Sequence, residues 1–280
     1  MAAFDWYQAT VPAPVHDVLE ALAGLSERAT LLHTKGHNGY AHSTVVAGSD
    51  GPVGAVWHGG THEHPHVYFT GDQADEGSQC IRAAFPEHYV TRFDPRVDFI
   101  DATAYERIQN VMIDVSREYR VKPRVMGDHL VHQEGRTFML GSASSVVQER
   151  LYEKTAEQRA KFASDPARLA AIPDHWVRLE AQIRPQTRGS RLLSATLHPV
   201  AAMGSSPWLR EVWRRVQGTE LQPVQLGKVW RQADDERAYT CLLAQYGGLL
   251  QRMAEDHGSF CALGSQIGHD LSERAKAKRR

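Results

Sequence analysis

Three short segments of this chain place ionisable side chains at every second position. In Thr91-Arg92-Phe93-Asp94-Pro95-Arg96-Val97-Asp98-Phe99, the residues Arg92, Asp94, Arg96 and Asp98 alternate with apolar ones. Glu149-Arg150-Leu151-Tyr152-Glu153-Lys154 groups Arg150, Tyr152 and Lys154 in the same way. Trp176-Val177-Arg178-Leu179-Glu180-Ala181-Gln182 groups Arg178, Glu180 and Gln182. Residues two apart share one face of a strand, so each segment predicts an apolar face and a face dense in ionisable groups. Two readings of that face are open. One is an antiparallel sheet with a side in water, decorated by cross-strand charge pairs. The other is a catalytic surface on which carboxylates, a phenol and cations work together.

The elements that must hold these strands follow from periodicity and turn chemistry. Residues 14–32 read as an amphipathic helix with Val15, Val18, Leu19 and Leu22 on one stripe. Short β-rich segments follow at 40–47, 53–58 and 66–70, with Asp50-Gly51 and Gly59-Gly60 as turns. Residues 74–84 read as helix, 89–100 as strand and 103–120 as a longer helix carrying Ile108, Val111, Met112, Val115 and Tyr119. Strands are then expected at 129–132, 137–140, 146–152, 176–184 and 192–198. A helix at about 155–171 interrupts them, and Glu134-Gly135 supplies a hairpin turn. Tight hairpins without long crossovers predict an α+β fold, an antiparallel sheet with helices packed on one face. After residue 205 the pattern is helical. Ser206-Pro207 starts one helix, with Trp208, Leu209, Val212, Trp213 and Val216 as its stripe. Two more helices are expected, at 237–256 and in the segment ending in Lys276-Ala277-Lys278-Arg279-Arg280. The expected division is 1–200 for the sheet domain and 201–280 for a helical C-terminal region.

Composition narrows the class. The 280 residues are 42% apolar and 23% charged, with 32 Lys+Arg against 33 Asp+Glu. No run approaches the roughly 20 apolar residues of a membrane span, and Met1-Ala2-Ala3-Phe4-Asp5-Trp6 does not read as a signal peptide. The three cysteines, Cys80, Cys241 and Cys261, are far apart, which argues against a disulfide scaffold or a cysteine zinc site and fits a reducing cytoplasm. Charge is uneven along the chain. Residues 1–101 carry 5 basic and 13 acidic side chains, whereas 178–231 carry 9 basic and 3 acidic. That basic third is either a solvated surface or a grip on a polyanion such as nucleic acid.

A family resemblance bears on the choice. Arg136-Thr-Phe-Met-Leu-Gly141-Ser142-Ala-Ser144-Ser-Val-Val-Gln-Glu-Arg150-Leu-Tyr152-Glu-Lys154 resembles the signature of the replication initiation factor family. These are the rolling-circle initiators of plasmids and filamentous phages, with related conjugative-element relaxases. The family shows a Tyr/Phe-x-Gly-Ser strand and turn, then Arg-x-Tyr-x-Lys. The strands at Thr91-Arg92-Phe93-Asp94 and Val177-Arg178-Leu179-Glu180 agree, as do Phe4-Asp5-Trp6 and Gly39-Tyr40-Ala-His-Ser43 near the start. The similarity covers about 4–198. Pro95 after Asp94 departs from the usual apolar residue and suggests an edge or a bulge.

The resemblance implies a metal-dependent endonuclease that nicks one strand at a replication origin and later rejoins it. Tyr152 would be the nucleophile, keeping the 5′-phosphate as a phosphotyrosine while the 3′-hydroxyl primes synthesis. A phenol with a pKa near 10 needs help at neutral pH, and Lys154 and Arg150 are expected to lower its pKa or to hold phosphate oxygens. A divalent metal, Mg or Mn, would offset developing charge on the phosphate, with Asp94 and Glu180 as first-choice ligands and Asp98 as a third. Tyr7, Tyr40, Tyr68, Tyr89, Tyr105, Tyr119, Tyr239 and Tyr246 compete for the nucleophile's role.

The histidines His58, His62, His64 and His66 are a second place to seek a metal, against a plain exposed strand and turn. Arg184, Arg188 and Arg191 flank a turn after the Glu180 strand, and Arg214 and Arg215 decorate a helix; all five are candidates for phosphate contacts. The implied partner is origin DNA, single-stranded or as a hairpin at the nick, in the cytoplasm of a bacterial host and with no membrane. No GxxxxGK[ST] loop occurs, so unwinding would fall to a host helicase. The C-terminal region is open to origin binding or to homodimer contacts. The alternative function is a non-catalytic, sequence-specific DNA-binding regulator on the same sheet.

Overall fold

The computed structural model describes residues 2–49, 51–130, 135–227 and 234–277. In chain order the first half runs β1 (Ala3–Thr10), α1 (Val15–Ala23), β2 (Thr30–Lys35), β3 (His42–Gly48), β4 (Gly51–His58), β5 (His66–Thr70), α2 (Gln73–Ala84), β6 (Tyr89–Ile100) and α3 (Ala104–Tyr119). Then come β7 (Pro123–Gly127), β8 (Arg136–Leu140), β9 (Val147–Glu153), α4 (Lys154–Lys161), α5 (Pro166–Ala171), β10 (Trp176–Ile183), α6 (Arg188–Thr196), α7 (Pro199–Ala202), a 3-10 turn at Met203–Ser205 and α8 (Pro207–Gln217). These elements form one unit, Met1–Lys228. A second unit, Val229–Arg280, holds α9 (Asp234–Asp256) and α10 (Phe260–Ala277).

The strands build a single sheet in the order β2-β3-β4-β5-β1-β6-β10-β9-β8-β7, with every pairing antiparallel. This is the expected α+β architecture. One face is apolar and covered by helices. Phe4, Tyr7, Val67, Phe69, Phe93 and Ile183 meet Val18 and Leu22 of α1, Ile81 of α2, Ala195 of α6 and Leu209 and Trp213 of α8 in one buried cluster. Phe138, Leu151, Val177 and Leu179 meet Ile108, Met112 and Val115 of α3 and Val212 of α8 in the other. Neither cluster draws a buried residue from α4 or α5.

Several boundaries differ from the sequence reading. The first helix stops at Ala23 with Gly24 as its cap, and β1 and the exposed strand β2 were not anticipated. The segment at 192–198 is helix through Thr196, not strand. Thr187 and Ser190 form a reciprocal capping box that starts α6, and Ser190, Ser194 and Ala195 turn one buried stripe inward. Of the strand expected at 129–132, His129 and Leu130 are not strand and the rest lies outside the described residues; β7 was not anticipated, and proline is tolerated at its first position because β7 is an edge strand of the sheet. Val131–Glu134 with their proposed turn, Asp50, and Lys278, Arg279 and Arg280 of the basic tail lie outside the described residues. The helix opened by Ser206 and Pro207 belongs to the first unit; the Ser206 hydroxyl accepts the Leu209 N–H at 3.2 Å.

One charged residue breaks the apolar face. Glu149 alternates with Val147 and Leu151 on the helix side of β9 and is 1% exposed, with Oε2 lacking a partner among the described residues. Burial pushes its carboxyl well above the usual range, so it folds as the neutral acid. A proton held more tightly in the folded than in the unfolded chain stabilises below the unfolded pKa of about 4.3 and is lost as pH rises toward the folded value. Wild-type unfolding free energy is therefore expected to fall from pH 5 to pH 8. Glu149→Gln, the isostere of the neutral acid, should flatten that slope; parallel urea titrations at both pH values read it.

Candidate active site

Register places the three charged segments side by side. Glu180 pairs with Arg96 on β6 and Arg150 on β9, and Arg178 pairs with Asp98 and Tyr152. Period two then sends all of these side chains to the face opposite the helices. The loop entering β9 depends on Gly141. Its φ is +91°, and a Cβ there would lie 2.9 Å from the Val147 carbonyl, so only glycine fits the turn.

At the centre is Glu180, 1% exposed. Its Oε2 accepts the Tyr152 hydroxyl at 3.1 Å, and its Oε1 accepts Arg150 Nη2 in a close ion pair. The same Nη2 reaches Asp94 Oδ2 at 3.2 Å, and Arg92 grips Asp94 through Nε at 3.0 Å and Nη2 at 2.5 Å. Lys154 Nζ lies 3.5 Å from the Tyr152 oxygen and 2.9 Å from Glu157 Oε2. Tyr152, Lys154, Arg150, Asp94 and Glu180 thus form one contact network.

Its electrostatics differ from the expectation in one respect. The Tyr152 pKa is raised, not lowered, in this arrangement: burial raises it most and the Glu180 carboxylate raises it further, against the pull of Arg178. Burial also raises Glu180, against the pull of Arg150. Both groups hold their protons more tightly than in water, so Glu180 is a stronger base than an exposed carboxylate.

Asp98 stands apart. Its Oδ1 accepts Arg178 Nε at 2.6 Å, its Oδ2 accepts Nη2 at 2.9 Å, and Arg96 closes on Oδ2 as well. Arg178, 2% exposed, also donates to Asp5. Asp5 escaped the sequence reading. The bulge between Phe4 and Trp6 breaks the period of two and turns Asp5 toward the charged face.

Asp94 and Glu180 converge on one guanidinium nitrogen, and such hard oxygen donors suit Mg or Mn, which binds through one or two carboxylates plus phosphate and water. Among the described residues no group of three His, Cys, Asp or Glu is placed to hold a metal. A cation here would rest on Asp94 and Glu180 in the position Arg150 Nη2 takes. Asp98 is engaged elsewhere. The histidines of the sequence cluster separate: His58 joins Thr44, His33 and His42 on one face, while His66 stacks on Trp57 on the other, its pKa lowered to about 4 chiefly by burial.

The competing tyrosines described in this unit have other company. Tyr7 is buried against His88, Tyr89 accepts from Arg188, and the Tyr105 hydroxyl has no partner among the described residues. Arg184 donates to the Ala143 carbonyl at 2.9 Å and lies near Arg92 and Arg150; burial and the Arg92 charge lower its pKa. Arg188 and Arg191 head α6 at the ends of these strands. Arg214 and Arg215 are not brought to this face, since Glu211 and Glu118 bind them on the helix side. A cleft of about 790 Å³ is lined by Asp5, Trp6, Thr70, Lys154, Glu157, Trp176 and Arg178; Tyr152 is not in its wall, but Lys154, 3.5 Å from the Tyr152 oxygen, is.

Among solved structures, the chain is similar to a rolling circle replication initiator protein from Geobacillus stearothermophilus. The match has 22% identity and a TM-score of 0.50, and covers 72% of this chain and 82% of that one. The two chains share a fold. No family model matches the chain, and no curated protein does. The charged network fills the centre of the sheet on the face opposite the two apolar clusters, with α4 and α5 lining a cleft at its edge. No helix among the described residues is long and apolar enough to cross a membrane.

The network separates residues that hold the sheet from residues that face the reaction. Asp98→Asn is expected to lower unfolding free energy by about 2 kcal/mol. That is less than the roughly 3–5 kcal/mol of a fully orphaned buried charge, because Asp5 still pairs with Arg178. Denaturant unfolding of wild type and variant checks the figure.

Proposed function

We propose that this protein cuts and rejoins one DNA strand at a replication origin, the step that starts rolling-circle replication. The observation that carries the reading is the 3.1 Å hydrogen bond from Tyr152 to the buried Glu180, with Lys154 and Arg150 beside it on the charged face of the sheet. The fold shared with the Geobacillus initiator supports the same reading.

In this account the Tyr152 oxygen attacks the scissile phosphorus while its proton passes to Glu180 Oε2. The bond from phosphorus to the 3′-oxygen breaks, that oxygen takes a proton from water, and the free 3′-hydroxyl primes synthesis. The 5′-phosphate stays on Tyr152 as a phosphotyrosine. Rejoining is the reverse: the 3′-hydroxyl attacks, and the phenol leaves with its proton returned. Arg150 and Lys154 hold phosphate oxygens and balance the charge that develops there. A Mg or Mn ion held by Asp94 and Glu180 would supply further charge stabilisation at the phosphate. The partner is origin DNA, single-stranded or extruded as a hairpin, with a host helicase for unwinding.

Tyr152→Phe should lose nicking of origin-bearing supercoiled DNA by at least about 10³-fold while keeping DNA affinity within about threefold. Glu180→Gln should lose nicking by about 10²-fold or more, the range of a general base. Agarose-gel nicking and fluorescence anisotropy read the two properties separately. EDTA should abolish wild-type nicking and added Mn²⁺ should restore it. A wild type that binds the origin but shows no metal-dependent nick would leave the regulator as the reading.

A further inference from the structure

The charged face of the sheet continues beyond the network as a row of aromatic rings. Trp6 pairs with Asp94 across β1 and β6, and Gln8 pairs with Tyr68 on β5. Tyr68 and His66 in turn face Ala55 and Trp57 on β4. The rings touch in sequence. Trp6 meets Tyr68 edge-on at 5.0 Å between centroids, Tyr68 stacks on Trp57 at 5.4 Å, and Trp57 stacks on His66 at 5.4 Å. Tyr40 follows at 6.3 Å from Trp57.

These rings do not serve the core. The opposite faces of the same strands supply it through Tyr7, Val56, Val67 and Phe69, and none of Trp6, Tyr68, Trp57 and Tyr40 belongs to either buried cluster. Aromatic surface left half-exposed beside a reaction centre calls for an occupant with flat apolar faces and negative charge. Cations accompany the row. The Arg92 guanidinium lies 3.8 Å above the Trp6 ring, and Arg191 is close enough to His66 to depress its pKa. The Trp6 indole N–H has no partner among the described residues. Trp6 also lines the cleft that holds Lys154, Asp5 and Arg178, so the row adjoins the charged network. Three strand spacings of roughly 4.8 Å separate β9 from β1, a distance of about 14 Å that a few unpaired nucleotides span.

We infer that Trp6, Tyr68 and Trp57 form a stacking platform for the unpaired bases of the single DNA strand that leads to the scissile phosphate. This rests on the nicking function proposed above. Bases stack on aromatic side chains with little sequence preference, while cations track the backbone. The platform would therefore hold strands of any sequence and leave origin choice to other contacts.

The test is fluorescence anisotropy with labelled oligo(dT)20 and with a duplex of the same length, the fold of each variant being checked by circular dichroism. Trp57→Ala should weaken oligo(dT)20 binding by roughly 5- to 150-fold and leave duplex binding unchanged. Trp57→Phe, which keeps a ring, should restore single-strand affinity to within about threefold. Tyr68→Ala repeats the test from the neighbouring strand should Trp57→Ala fail to fold. Equal affinity in wild type and Trp57→Ala, or an equal loss toward both DNAs, would overturn the platform. A wild type that does not bind oligo(dT)20 would overturn it too and give the rings to a protein partner. Since oligo(dT)20 carries no origin, failure of the nicking assay and failure of this one are separate results.

Discussion

A carboxylate 1% exposed in the middle of a sheet is expensive to desolvate, and the surroundings of Glu180 answer that expense atom by atom. One oxygen takes the Arg150 guanidinium and the other takes the Tyr152 hydroxyl. Arg150 is itself tied to Asp94, and Asp94 to Arg92, so removing Arg150 would leave the buried Glu180 without an opposite charge. Such a network is stable only if the strands carrying it are fixed in register. The pairing of β10 with β6 and β9, backed by the apolar cluster under Leu151, Leu179 and α3, supplies that register. Position and proton affinity of the Tyr152 phenol are consequences of the same burial.

The sheet is two-sided in its uses as well as its polarity. The apolar clusters and their helices take one face, the charged and aromatic side chains the other, where α4 and α5 line a cleft, and along that second face the character changes from strand to strand. The central strands β9, β10 and β6 hold ion pairs, while β1, β5 and β4 hold rings. The strand cutting proposed for Tyr152 and the stacking inferred for the rings would use these different surfaces, which the sheet sets next to each other within one unit.

Much of this was legible in alternation alone. The faces of β6, β9 and β10 followed from charged residues at every second position, and 66–70 and 89–100 matched their strands end to end. Asp5 was hidden because a bulge cancels the period it would otherwise obey. Residues 192–198 misled because Leu192, Ser194 and Thr196 alternate like a strand, whereas the signal that decides the matter is the cap five residues upstream. Arg214 and Arg215 looked like phosphate ligands; their place on α8 and their partners Glu211 and Glu118 are tertiary facts that charge counting does not contain. The aromatic row was out of reach for the same reason, since Trp6, Trp57 and Tyr68 meet only once β1, β4 and β5 are ordered in the sheet.

The central claim is that Tyr152 becomes covalently joined to DNA. Intact-protein and peptide mass spectrometry after incubation with single-stranded origin DNA and Mg²⁺ or Mn²⁺ tests it directly. The account predicts a nucleotide adduct on Tyr152 through a 5′-phosphate, absent when the metal is chelated. An adduct on a different tyrosine, or none on DNA that the protein demonstrably binds, would contradict it.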